Sequence, residues 1–385
     1  MKLEPFLEKA TTWVVRLGVV VAAAVIGAWL QWWSQEPITL VIPEASPPNE
    51  YTPTFGWHPD AEAIALNRDR TRTLHFDATP AGQAVLGETE VFLWRHVRKA
   101  AGYDATANWY PSINQQNVGC CVGCGWKHCA DVCQATAIAS GHAFTWQPVS
   151  AEVIYGGSRV DVGGGRLSGD GSVGAWAKEY VSSRGGIVPM QKFTSADLSH
   201  FSPARARAFG YRGIPPDIAA FARRHPVQSC ALVTRWRDAK RAIQQGYPVA
   251  ICSNQGFSLE RDDTGRCRPQ GVWYHCLALI AIRTTPHEGG FLLNSWGETA
   301  HRGPLWPPDM PPAGFWADAA ILDGMLQQGD SFALADVAGF PQRRLDWFVH
   351  QPHRLPHHHP LVAPLPLAAG FHRFTFPHQE VLGSW

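Results

Sequence analysis

The sequence has almost no excess charge of either sign: 33 Lys and Arg against 32 Asp and Glu in 385 residues leave a formal net charge of +1. Without a strongly basic surface the chain cannot grip a phosphate backbone by charge, so nucleic acid is not expected as a partner. Charged residues are scarce at 17% against 45% hydrophobic, while 36 Gly and 30 Pro imply long irregular stretches around a real core. That composition excludes a pure helical bundle and a wholly disordered chain. No internal repeat is present. Five of the nine cysteines fall at positions 120, 121, 124, 129 and 133, and Cys121, Cys124 and His128 share one helical face. A second Cys-x-x-Cys is missing, however, and structural zinc or iron–sulfur sites recruit two such pairs. A metal protein is therefore the minor reading, and no metal or cofactor is expected.

Only one long hydrophobic run exists. Residues 17–33 read LGVVVAAAVIGAWLQWW without an acid or a base, and as a helix they span about 25 Å, slightly short of a ~30 Å hydrocarbon core. Arg16 can snorkel, and Trp13, Trp29, Trp32 and Trp33 fit interfacial anchors. Lys2, Lys9 and Arg16 precede the run and no Lys or Arg follows until Arg68. The positive-inside rule then places residues 1–16 in the cytoplasm and the rest of the chain beyond a membrane. A cleaved signal peptide is the alternative, giving a secreted chain, although bulky Trp-Leu-Gln-Trp-Trp stands where small cleavage residues belong.

From 34 to about 60 the chain is Pro-rich and aperiodic, as suits an extended spacer. Residues 34–100 are read as stalk and pro-segment, the helical stretch Val91–Ala100 being either a short packing helix or part of that pro-segment. Residues 101–335 are read as the folded domain, with a globular composition from about Tyr110 to Leu334. Residues 336–385 form an irregular Pro/His-rich tail, whose His357, His358 and His359 are surface residues rather than ligands.

The chemistry concentrates after Asn114. Beyond Cys121, the apolar positions Val122, Trp126, Cys129 and Cys133 recur at helical spacing up to Ser140-Gly141. Cys121 thus falls at a helix N-terminus, where free N–H groups and the helix dipole favour a thiolate. A thiolate nucleophile needs a proton partner, and His275 opens an apolar, strand-like run. Nineteen residues on, Asn294 can accept an imidazole N–H while staying neutral, and Trp296 can shield that bond.

In this order the residues resemble a papain-type cysteine peptidase: Asn114-Gln115, then Gly119 and Cys121, later His275 and Asn294-Ser295-Trp296-Gly297. The resemblance runs over residues 105–334. It implies an α+β fold with a helical lobe and an antiparallel β-barrel-like lobe meeting at a cleft. Cys121, His275 and Asn294 would form the triad, and Gln115 with the Cys121 amide would stabilise an oxyanion. Gly169-Asp170-Gly171 is similar to the family's glycine-containing strand that pairs with substrate backbone, and residues 237–251 resemble the entry to the second lobe. Gly169, Asp170, Gly171 and Trp296 make up the expected substrate-binding set for a peptide or protein. The chain departs from the family pattern at Val118, Val122, Cys124-Gly125-Trp126 and Tyr274, and lacks the usual pro-helix signature in residues 60–100.

Two alternatives use the same residues: acyl transfer to a second nucleophile, and a catalytically silent peptide-binding protein. Cys120 or Cys124 is also a candidate for pairing with Cys267 or another cysteine.

Overall fold

The computed structural model describes residues 54–87, 90–343 and 345. The expected membrane span at 17–33, the residues leading into it, the first part of the spacer and most of the tail lie outside the described residues. Among the described residues no helix is long and apolar enough to cross a membrane.

Helices dominate the first half: α1 (Ala61–Arg68), α2 (Pro80–Gln83), the two-residue strand β1 (Val91–Phe92), α3 (Trp94–Ala100), α4 (Cys121–Ala139), α5 (Ala151–Gly157), α6 (Gly174–Glu179), α7 (Pro203–Arg212) and α8 (Pro216–Ala222). The second half holds β2 (Ser229–Leu232), α9 (Trp236–Gln244), β3 (Val249–Arg261), β4 (Cys267–Arg283), β5 (Gly289–Leu293), β6 (Gly314–Asp318), α10 (Ala319–Leu326) and β7 (Phe332–Ala335). All seven strands join one antiparallel sheet in the order β2-β7-β3-β4-β5-β6, with β1 also on β4. The class is therefore α+β, with helices segregated from an antiparallel sheet.

Helix α4 is the longest helix among the described residues. It runs 19 residues, nearly all buried, and ends where Gly141 takes φ 99°, a turn conformation that glycine adopts without steric cost. Being buried on all sides, it satisfies its charges internally: Lys127 Nζ lies 2.6 Å from Asp131 Oδ2 and donates to the Pro111 carbonyl, and Asp131 accepts the Val149 N–H. Its glycines set how closely the neighbours approach. A Cβ on Gly125 would stand 2.8 Å from Cys276 Sγ on β4, and one on Gly123 would stand 2.6 Å from the Ala151 carbonyl oxygen. Gly125 lies one turn beyond Cys121 on the same helical face, so this contact draws the start of α4 towards the middle of β4.

Strand β4 begins at Cys267, eight residues before His275, which corrects the expectation that the histidine opens a strand. The β-branched and aliphatic residues after it continue the strand as expected, but the preceding Arg-Pro-Gln-Gly stretch is extended as well because β3 pairs along it through several bulges. Residues 91–100 belong to the packed body. Val91 and Phe92 pair with Ile282 and Ala281, and α3 buries Trp94 completely. Arg95 and Arg98 of that helix both reach Asp309, at 2.7 and 3.3 Å, which ties α3 to the loop ahead of β6.

Candidate active site

The antiparallel register of β4 and β5 pairs Ala278 with Leu293, so Asn294 leaves β5 two strand positions from His275 on the same face. Asn294 Oδ1 stands 2.9 Å from His275 Nε2 and also accepts the Ser295 backbone N–H at 2.7 Å. Because a backbone N–H can only donate, the atom facing it must be the amide oxygen, and His275 Nε2 must carry its proton. His275 Nδ1 is left as the basic nitrogen, buried and without a hydrogen-bond partner. Trp296 lies over the ring at 4.6 Å between centroids, with Trp273 at 6.4 Å, so water is kept from the His275–Asn294 bond.

Cys121 is the first residue of α4, and no side chain caps that end of the helix. Among the groups that act on the Cys121 thiol are the side chain and backbone N–H of Cys276, the residue after His275. No hydrogen bond joins Cys121 Sγ to His275 Nδ1 in this state. The expectation of a thiolate at the helix N-terminus is also corrected. Burial pushes the Cys121 thiol well above its ordinary range, with the Cys276 thiol adding to the effect and the Cys276 N–H opposing it. Burial likewise pushes His275 down to about 4, against the bond to Asn294. Both partners are held neutral because the site is closed to water.

What closes it is the end of the segment read as spacer. Gly56 and Trp57 N–H groups donate to the Tyr274 carbonyl at 3.0 and 2.9 Å, Ser172 N–H donates to Gly56 O, and His58 N–H donates to Ser172 O. Residues 56–58 thus form a parallel bridge on Ser172. Phe55 packs on Trp273, His275 and Trp296. Gly56 passes so close that an added Cβ would lie 2.0 Å from the Gly119 carbonyl oxygen. The Trp57 indole N–H donates to Asp330 Oδ2 at 2.8 Å. Asp330 is fully buried, and burial raises its carboxyl to about 6 against hydrogen bonds from Trp57, Gly174, Ala175 and Asn67.

Gln115 is buried with its amide aimed at this segment: Nε2 donates to Thr54 O at 3.0 Å and to Val118 O at 2.9 Å, while Oε1 accepts the Ser295 hydroxyl at 2.6 Å. Trp296 Nε1 donates to the same Thr54 carbonyl at 3.2 Å. A carbonyl oxygen therefore already sits against the amide expected to meet an oxyanion.

The expected backbone-pairing residues fall one position early. Gly171 lines the groove, with an added Cβ 2.3 Å from the His58 ring, but the pairing itself is made by Ser172. Asp170 accepts His58 Nε2 on its carbonyl and directs its carboxylate to Gly119 N–H and Arg207. Gly169 has open space where a Cβ would point. All nine cysteines are free, so the suggested pairing to Cys267 is absent. Cys120 and Cys124 sulfurs touch at 3.8 Å instead, and Cys267 lies beside His301. No group of three metal-ligating side chains occurs among the described residues. Sequence reasoning missed Thr54–His58, Ser172, Asp330 and His301. Gly56-Trp57 inside a Pro-rich stretch was the one available signal for the first of these.

No family model and no curated protein matches the chain. Among solved structures it is similar to xylellain, a cysteine protease from Xylella fastidiosa, at 14% identity over 74% of this chain and 95% of that one, with a TM-score of 0.42. It is similar to procathepsin B S9 from Trypanosoma congolense at 11% identity over 75% and 87%, TM-score 0.46. Digestive procathepsin L 3 of Tenebrio molitor larval midgut aligns at 13% identity over 71% and 78%, TM-score 0.41.

Proposed function

We propose that the chain is a latent thiol-dependent peptide hydrolase of the papain type, kept inactive while residues 54–58 fill its groove. The observation that carries this reading is the tautomer of His275. Its Nε2 proton is committed to Asn294, so the free Nδ1 lone pair, on the residue next to Cys276, whose groups act on the Cys121 thiol, is the base available to a thiol. Once the segment leaves, water reaches both groups and the desolvation that holds them neutral is relieved. The uncapped N-terminus of α4 then favours the thiolate.

In the proposed cycle Cys121 Sγ attacks a peptide carbonyl, and Gln115 Nε2 with the Cys121 N–H receives the developing oxyanion. His275 passes the proton to the leaving amine and then takes one from the water that cleaves the acyl-enzyme. The segment itself supports a peptide as ligand, because the groove satisfies its backbone through Tyr274 O and Ser172 while receiving side chains on either side. The same residues serve acyl transfer if an amine replaces water, and amine-dependent products would select that reading.

In a chain whose groove is opened by displacing residues 54–58, Cys121→Ala is expected to abolish both turnover of peptide substrates and covalent labelling by a peptidyl epoxide, mapped by mass spectrometry. Retention of both after that change overturns the assignment; a chain with an accessible groove, unlabelled and inactive, favours the silent peptide-binding alternative.

A further inference from the structure

A second buried histidine adjoins the Asn294 amide on the side away from His275. His301 Nε2 stands 3.0 Å from Asn294 Nδ2, and His301 is only 2% exposed. The Ser295 N–H has already fixed Oδ1 toward His275, so Nδ2 must donate to His301, and His301 Nε2 must be the unprotonated nitrogen. Its proton belongs on Nδ1, which faces Cys267 Sγ at 3.8 Å. The result is an ordered row: Cys267, His301, Asn294, His275.

We propose that His301 is a positioning residue for the reaction proposed above: its bare Nε2 holds the Asn294 amide so that only oxygen is offered to His275. This inference rests on that reading of the site, since it assigns His301 a role in the chemistry rather than in packing alone. A second proton on His301 would set N–H against NH2 and favour turning the amide over. The NH2 would then face both the Ser295 N–H and His275 Nε2, and the histidine would lose the acceptor that fixes its tautomer. The surroundings oppose that proton. Burial pushes His301 down to about 3, and Arg261 and His275 add to the effect. Arg261 is held close by donating to the His301 carbonyl at 2.9 Å. The ring is also fixed in place, packed on Phe315 at 4.6 Å and parallel to Trp296 at 6.4 Å between centroids.

The test uses the full chain with 15N-labelled histidine, its two resonances assigned through His275→Gln and His301→Gln. The unmodified protein should show His275 as a single Nε2–H tautomer. His301→Phe keeps the ring but removes the acceptor, and should give a mixed or exchanging His275 signal; His301→Gln, whose amide oxygen can replace the lone pair, should keep the single form. His301→Met stands in if the Phe variant fails to fold by circular dichroism. An unchanged His275 signal in the acceptor-free variant overturns the inference.

The kinetic arm uses a mixed library of fluorogenic peptide amides on the chain opened by Gly56→Ala, whose added Cβ would lie 2.0 Å from the Gly119 carbonyl oxygen. His301→Phe should lower kcat on the order of tenfold or more with KM little changed. The same change should cost nothing further in an Asn294→Ala background, because His301 acts through that amide. An equal loss in both backgrounds overturns it. Absence of thiol-dependent turnover in the Gly56→Ala chain, with Cys121 shown to be accessible, counts against the proposed function alone, since the tautomer readout judges the positioning role independently.

Discussion

At the scale of the residue, the closed site consists of groups that hold protons differently in the folded and unfolded chain. His275 titrates at about 4 when folded, against 6.5 for a free imidazole. Above pH 6.5 neither state binds the proton and there is no penalty. Between 6.5 and 4 the unfolded chain takes up a proton that the folded chain refuses, so stability falls as pH falls, by about 3 kcal/mol across the window. His301 acts in the same direction. Asp330 acts oppositely: its carboxyl is raised from 3.8 to about 6, so its contribution is present below 3.8 and lost as pH rises through 6. Urea unfolding at pH 7 and pH 5 should therefore show a smaller acid-induced loss in His275→Gln than in the unmodified chain. Equal losses in the two proteins count against His275 being buried in its neutral form.

The element that covers the site is the strand-like stretch 54–58. Its backbone is satisfied by Tyr274 and Ser172, and its one buried polar side chain by Asp330. Gly56 leaves no room for a side chain beside Gly119, so Gly56→Ala should displace the segment while leaving the body of the molecule folded. The expected outcome is faster iodoacetamide modification of Cys121, with near-unchanged thermal unfolding. A labelling rate equal to that of the unmodified chain sinks the idea that this segment closes the site. The sequence offered a Pro-rich spacer here, and proline content cannot distinguish solvated extended chain from extended chain paired in a groove, since both use the same backbone conformation.

The whole molecule depends on carrying α3 and α4 against one sheet. Asp309 links the sheet's approach loop to two buried arginines of α3, so Asp309→Ala should leave two guanidinium groups buried without their carboxylate and destabilise the protein by about 3–5 kcal/mol. Chemical unfolding checks this, and a loss under about 1 kcal/mol would mean that water replaces the carboxylate.

Much of the site was legible in one dimension because chemistry constrains residue type and order. Cys121 after Gly119, the helical stripe from Val122 to Cys133, the helix–turn–strand at 237–251, and His275 ahead of Asn294 are local or sequential features, and local periodicity is set by helix and strand geometry. The start of β4, the pairing at Ser172 in place of the preceding glycine, and the charge state of Cys121 were not legible. Strand length there comes from bulged pairing with β3, pairing from a segment more than a hundred residues away, and proton affinity from burial. His301 is the clearest case. Nothing in a lone histidine seven residues after Asn294 distinguishes it from any other, and only the turn that brings its Nε2 to the amide gives it a role. The sequence by itself determined which groups could form and hold a thiolate, because those are properties of side chains in order. The tertiary structure alone decided that the thiol is at present neutral and covered, because desolvation depends on what is packed nearby and not on what is next in the chain.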